Sequence, residues 1–437
     1  MSETRIDGQV TTPLGRLTVG IVIGFGLMML ALLTPGILLL TFRMMDIDPD
    51  GYLKSYGMVA GIGGFFALIG NPIGGAVSDR TNITFGRRRT WILLGALLGS
   101  AGLVLVGFGT AVWQIVIGWS AAQFFFNFAM ASYMALIPEQ VKPEKQGTIS
   151  GIIGLVGPAA ASAGMVLMMV MTSVSAEMKW TLLILLGVIG PVVSLFLIKD
   201  GKVTINSAPK SKVKLVERIS KIYPSPRKYP SFTYAIVAKF FLMLGYGSAS
   251  YLTVMLVNRM NYTQEEATKG LGVINIAMIL AMALMSIVGG AWSDKVRKQK
   301  PFLYTSAAIM IIGILIFAFI PQFPAIMTAA VILGLGAGCF SAVDTALVAR
   351  ILPRKEDAAK DFGIMNVANT LPQSIVPALA PLVIGLVGWS SYFLTFGIFL
   401  LLSMVCVRYL PEIGQFKGEK PAAQERSPLV EPDSTVS

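Results

Sequence analysis

The sequence contains no histidine and only two cysteines, and 13% of its 437 residues are charged. Soluble domains average about a quarter charged residues, so a chain this poor in charge does not cover itself with an ordinary water-facing surface. Without histidine, the commonest general base and the commonest metal ligand are missing. Cys339 and Cys406 lie far apart in apolar stretches. They offer neither a thiol pair nor metal-ligand spacing, and read as packing residues. Gly334-x-Gly336-x-Gly338 is not a phosphate loop, because it falls inside an apolar helix with no strand before it. An enzyme is therefore not expected, and no cofactor or metal is called for.

Apolar sequence takes the place of charge. Leu17 to Phe42 and Trp91 to Pro138 contain no charged residue. One spanning helix needs about 20 apolar residues, so the second run holds two spans turned near Thr110. The first is too long for a signal peptide and reads as a retained span. The pattern predicts twelve spans, at 17–42, 55–77, 90–110, 112–137, 147–172, 180–198, 232–257, 270–292, 301–320, 325–352, 361–387 and 389–408. No strand alternation is present, so an all-α membrane protein is expected. Its many glycines, as at Gly20/Gly24 and Gly95/Gly99, suit close helix packing.

The net charge of +12 suggests nucleic acid at first sight, but its distribution excludes that reading. When sides alternate from a cytoplasmic N-terminus, 29 of the 35 Lys and Arg fall inside. Arg43, Lys54, Lys179, Arg259 and Lys269 fall outside, and Lys239 lies within a span. This positive-inside bias places both termini in the cytoplasm of a cell (inner) membrane, with anionic lipid as the basic loops' partner. The organisation read from the chain is a tail at 1–16, a six-helix bundle at 17–198, a linker at 199–230, a second bundle at 231–410 and a disordered tail at 411–437. Within the linker, Leu215, Val216, Ile219, Ile222 and Tyr223 share one face of a short interfacial helix.

The halves are copies. GGAVSDR at Gly74–Arg80 returns as GGAWSDK at Gly289–Lys295, and LIPEQVKPEKQ at Leu136–Gln146 is echoed by ILPRKEDAAKD at Ile351–Asp361. Asp79 to Asp294 and Pro138 to Pro353 share one offset of 215 residues. Two parallel six-helix units related by an axis along the membrane normal follow from that constancy.

The run G-G-A-V-S-D-R-T-N-I-T-F-G-R-R-R, Gly74 to Arg89, resembles the loop between the second and third helices of the major facilitator superfamily. Its spelling is most similar to the sucrose/proton symporters and the glycoside–pentoside–hexuronide cation symporters. The resemblance implies alternating access by rocking of two pseudo-symmetric bundles. It also implies a gating motif at Gly75, Asp79, Arg80, Gly86, Arg87 and Arg88, with Asp294 and Arg350 in the second half. Asp79 is expected to accept hydrogen bonds at the positive N-terminus of the eleventh span, near Asp361, when the cytoplasmic side is closed. Ala135 stands where Arg350 stands in the other half, so the gate is not symmetric. Asn71-Pro72 occupies the position of a cation-binding Asp-Pro pair in the glycoside symporters, and asparagine supplies no charge there. Gly154 to Gly164, GLVGPAAASAG, partly resembles the fifth-helix signature of proton-coupled drug antiporters, with Ala161 and Ser162 where glycines are usual.

Polar stripes mark a substrate cavity. Trp119, Gln123 and Asn127 recur at i, i+4 and i+8 on the fourth span. Asn366, Asn369, Thr370 and Gln373 share a face of the eleventh, and Lys239, Met243, Tyr246 and Ser250 a line on the seventh. Amides and aromatic rings suit hydroxyl-rich ligands. Asp344 is the one acid well inside a span and Lys239 the one base. At 1.5 Å per residue each lies about 12 Å from the cytoplasmic side, so they should meet in the second half. The expected partners are a small solute, a proton and the bilayer, without nucleic acid, for a monomer. The expected activity is proton-coupled symport of a sugar or similar polyhydroxylated solute; the alternative is an antiporter exporting an amphipathic compound.

Overall fold

The computed structural model describes residues 12–201, 226, 229–296, 298–351 and 358–410. The interfacial helix expected around Leu215–Tyr223 and the tail at 411–437 lie outside these residues. Among those described, all regular structure is helical. Helix α1 (Leu14–Thr34) passes through a π-helical turn at Pro35–Leu39 into α2 (Leu40–Ile47). There follow α3 (Tyr52–Arg80), α4 (Arg87–Phe108), α5 (Val112–Gln140), α6 (Pro143–Val170) and α7 (Ala176–Leu197). The second half holds α8 (Pro230–Gly247), a 3-10 turn at Ser248–Tyr251, α9 (Leu252–Asn258), α10 (Gln264–Val296), α11 (Lys300–Phe319), α12 (Phe323–Ile351) and α13 (Ala358–Arg408).

Among the described residues, eleven helical stretches are long and apolar enough to span a membrane. The last, Val367–Arg408, has 42 residues, about 63 Å of helix and twice what a bilayer needs. Gly388 turns it, with φ 81° and ψ 176°, a conformation that a Cβ would make costly. The two limbs meet where the sequence divides 361–387 from 389–408. Most helices exceed their apolar spans: α10 begins at Gln264 and ends at Val296 against an expected 270–292. Hydropathy marks only the hydrocarbon layer, whereas backbone hydrogen bonding continues through polar residues into the headgroups.

Packing divides the helices into two sets. α1 packs on α6 and α7, and α5 on α3 and α4; α12 packs on α10 and α11, and α13 on α8 and α11. Glycine permits the closest of these approaches. A Cβ on Gly102 would stand 2.6 Å from the carbonyl oxygen of Gly118, so α4 and α5 touch backbone to backbone.

Between the sets, α3 meets α13 and α6 meets α10. The contacts concentrate at the end away from the termini. Gly57, Gly61 and Gly64 of α3 lie against Pro381, Ala378 and Ser374, and Gly272 against Met169. Asn258 Nδ2 donates to Tyr52 Oη (2.9 Å), and Gln264 Nε2 to Asp46 Oδ1 (3.3 Å). Nearer the termini, Gly75, Gly147, Gly151, Gly154, Gly157 and Gly290 face open space. Among the described residues, the close contacts between the two sets therefore lie at the distal end.

Candidate functional site

Lys239 of α8 and Asp344 of α12 meet: Nζ lies 2.7 Å from Oδ2. Their surroundings are Ala235, Ala238, Leu242, Leu303, Phe340 and Met365, around a cavity of about 10 Å³, room for a single water. Every residue lining it belongs to the second set. The pair sits inside the second bundle. The lysine side chain is 6% exposed and the aspartate 19%, so the acid is the more accessible member of the pair. Ser403 Oγ donates to the Ala238 carbonyl (2.7 Å) and fixes α8 beside the last limb of α13.

The first half is neutral at the equivalent place. Subtracting 215 from Lys239 and Asp344 gives Gly24 and Ala129. A Cβ on Gly24 would collide with Tyr133 Oη and Ser194 Oγ, two hydroxyls bonded to each other at 2.8 Å. The charged pair of the second bundle therefore has no counterpart at the equivalent positions of the first.

On α5, Gln123, Asn127, Met130 and Met134 form a stripe of half-buried residues flanked by faces packed on α1 and α3. Asn127 Nδ2 is turned back to the Gln123 carbonyl at 2.8 Å. Trp119 does not belong to this stripe. It is 3% exposed and wedged against Gly36 and Gly63. Each i+4 step advances about 40°, so eight residues swing the indole by about 80° onto the first span. On α13, Gln373 is exposed and Asn369 half-buried, opposite the exposed apolar face of Leu379, Leu382 and Leu386. Ser250 is exposed and Tyr246 half-buried. The side chain of Asn366 lies outside the described residues, as do those of Asp294 and Arg350.

The gating motif takes a form that spacing did not suggest. Asp79 is 61% exposed and lies 2.5 Å from Arg88 Nη2; contact with the start of α13 is not among the contacts of the described residues. Arg88 also bonds Glu139 and Ser78, and Arg87 Nη2 lies 2.7 Å from Glu139. Asp200, just beyond α7, accepts from the backbone N–H groups of Arg88 (2.7 Å) and Arg89 (3.3 Å). It places a carboxylate on the positive end of α4. Gly86 has φ 106° and a Cβ there would strike that carboxylate, which explains the glycine. Arg80 is exposed, and Gly75 has open space beside it. Asp79 thus pairs within its own half. Glu139 and Asp200 join the motif from 51 and 112 residues away, and no local pattern pointed to either partner.

Similarity to known proteins agrees with this arrangement. No curated protein matches the chain. Among solved structures, it is similar to the human organic anion transporter MFSD10 (TETRAN), at 16% identity and a TM-score of 0.65 over 90% of this chain and 99% of that one. It is also similar to a D-xylose-proton symporter, at 15%, 0.67, 90% and 98%. The third is a bacterial homologue of the human lysosomal transporter Spinster, inward-facing and occupied, at 12%, 0.68, 90% and 96%. Such identities establish the fold and nothing finer. The family profile of the Major Facilitator Superfamily matches residues 16–282 and 267–435, and the chain belongs to that superfamily.

Proposed function

We propose that this transporter couples the movement of a polyhydroxylated, uncharged solute to that of a proton, importing both by alternating access through twelve spans. The observation that carries the reading is the Lys239–Asp344 pair. An isolated charge at that depth costs about 2.5–3.5 kcal/mol or more on insertion scales, so a pair kept there serves a purpose or is tolerated only as a brace. Asp344 is the more accessible partner. When it takes a proton, Lys239 is left buried without a counter-charge, and α8 and α12 lose what holds them together. Rocking of the second bundle relieves that state, and release of the proton restores the pair.

The amides of Gln123, Asn127, Asn369 and Gln373 supply donors and acceptors for hydroxyl groups, while the methionines beside them cover an apolar ring face. Among the described residues, no ionised group belongs to these stripes, which favours a neutral solute. With both termini cytoplasmic, as the charge bias argues, the close contacts between the halves lie on the outer side, which supports an inward-open reading. Asp79 then exchanges Arg88 for the start of α13 when the cytoplasmic side closes. Export of an amphipathic compound against protons is a second reading. It rests on the Gly154–Gly164 run of α6, whose Gly154 and Gly157 pack against nothing.

Counterflow in proteoliposomes tests the proposal. Vesicles preloaded with sugars, polyols or amphipathic drugs should accumulate a labelled sugar or polyol. Asp344→Asn should retain that exchange and lose accumulation driven by a pH gradient. Exchange of drugs alone would reverse the assignment.

A further inference from the structure

Two departures from α geometry fall at equivalent places in the two halves. Pro35–Leu39 is π-helical and Ser248–Tyr251 is 3-10; moved back by the repeat of 215, the second becomes 33–36 and overlaps the first. Widened or tightened turns tilt carbonyls away from the helix axis and open them to outside donors. Here the donors come from the opposite half, reciprocally. Thr253 Oγ1 donates to the Ile37 carbonyl at 2.5 Å. Tyr56 Oη lies 3.4 Å from the Ser250 carbonyl and 3.5 Å from that of Gly36, so one hydroxyl hydrogen is shared between acceptors of both halves. Both side chains are buried. The Tyr56 ring meets Tyr251 edge-on at 5.2 Å. Tyr251 donates to the Pro377 carbonyl and Tyr392 to that of Ser248, each at 3.1 Å.

We infer that this seam is a positioning device for the outer gate: Thr253 and Tyr56 hold two broken helices face to face, and the distal end opens when their hydroxyls release the other half's carbonyls. The inference rests on the alternating-access reading above. A bond made only in the closed state biases the population by its net strength, since water replaces it when the gate opens. Thr253, with the short bond, carries more of that bias than Tyr56, whose contacts are long.

The test places spin labels at Lys54→Cys and Gln322→Cys, one on each half near the distal end, in a full-length chain whose Cys339 and Cys406 are replaced by alanine. Distances are measured in liposomes. Thr253→Val should raise the long-distance population several-fold relative to the short one, while Thr253→Ser keeps the starting ratio. Tyr56→Phe should give a smaller shift in the same direction. Tyr262→Phe, whose ring stacks on Phe323 within its own half, should give none. Equal ratios of two populations in every variant would overturn the inference, as would a Tyr262→Phe shift as large as that of Tyr56→Phe. A single invariant distance together with failed counterflow would overturn the transport reading as well.

Discussion

Removing one member of a buried ion pair costs more than removing both, and the surroundings of Lys239 and Asp344 make this pair a sharp case. Asp344→Asn leaves an amide oxygen that still accepts from Lys239 Nζ, but the ammonium then has no counter-charge among Ala235, Leu242, Leu303 and Val407. Loss of one partner of a buried pair costs about 3–5 kcal/mol, and the surviving hydrogen bond puts this variant near the lower end. Lys239→Met with Asp344→Asn removes the stranded charge and fills its place with a flexible apolar chain, so most of that loss, about 3 kcal/mol, should return. The assay is the unfolding midpoint of the detergent-purified protein for both single variants and the double variant. Asp344→Asn should unfold well below the wild type, and the double variant close to it. Transport separates bracing from coupling: the double variant should regain stability and keep solute exchange yet remain unable to use a pH gradient. An Asp344→Asn protein as stable as wild type, or a double variant no better than the single, would refute the electrostatic argument.

Three further outcomes follow from the geometry. Gly57→Ala would bring a Cβ to 2.6 Å from the Pro377 carbonyl oxygen, overpacking worth about 1–3 kcal/mol that is felt only with the distal end closed. Thiol labelling of the cavity from the outside should accelerate, and an unchanged rate would count against the closed-end assignment. Asp200→Ala should cost about 1 kcal/mol by uncapping α4, read as a lower unfolding midpoint with solute affinity unchanged; loss of affinity without loss of stability would contradict that role. A reporter fused after Lys228 should read as cytoplasmic and one at Tyr262 as external, and the reverse would invert the orientation.

What the sequence disclosed depended on whether the signal was local. The turn at Gly388 was legible because a glycine separates two apolar runs. The depth match of Lys239 and Asp344 was legible because rise per residue is constant along a helix. What surrounds the pair was not: Ala235, Ala238, Leu242 and Leu303 come from two helices, and spacing along α8 does not say which helix packs on it. Trp119 was misassigned for a related reason, the drift of i+4 spacing around the axis. The carboxylate of Asp200 reaches α4 across 112 residues, and the π and 3-10 turns at Pro35–Leu39 and Ser248–Tyr251 carry no residue pattern that marks them before the halves are set together. Asp79 was read against the start of the eleventh span, and among the described residues its partner is Arg88.

The central claim is that a proton crosses with the solute through Asp344, and internal pH reports this most directly. Proteoliposomes containing a pH-sensitive dye, at equal pH inside and out, receive the sugar or polyol that passes the counterflow panel. The lumen should acidify when solute enters through wild-type protein, and solute should enter without acidification through Asp344→Asn. Equal acidification by both proteins would contradict it.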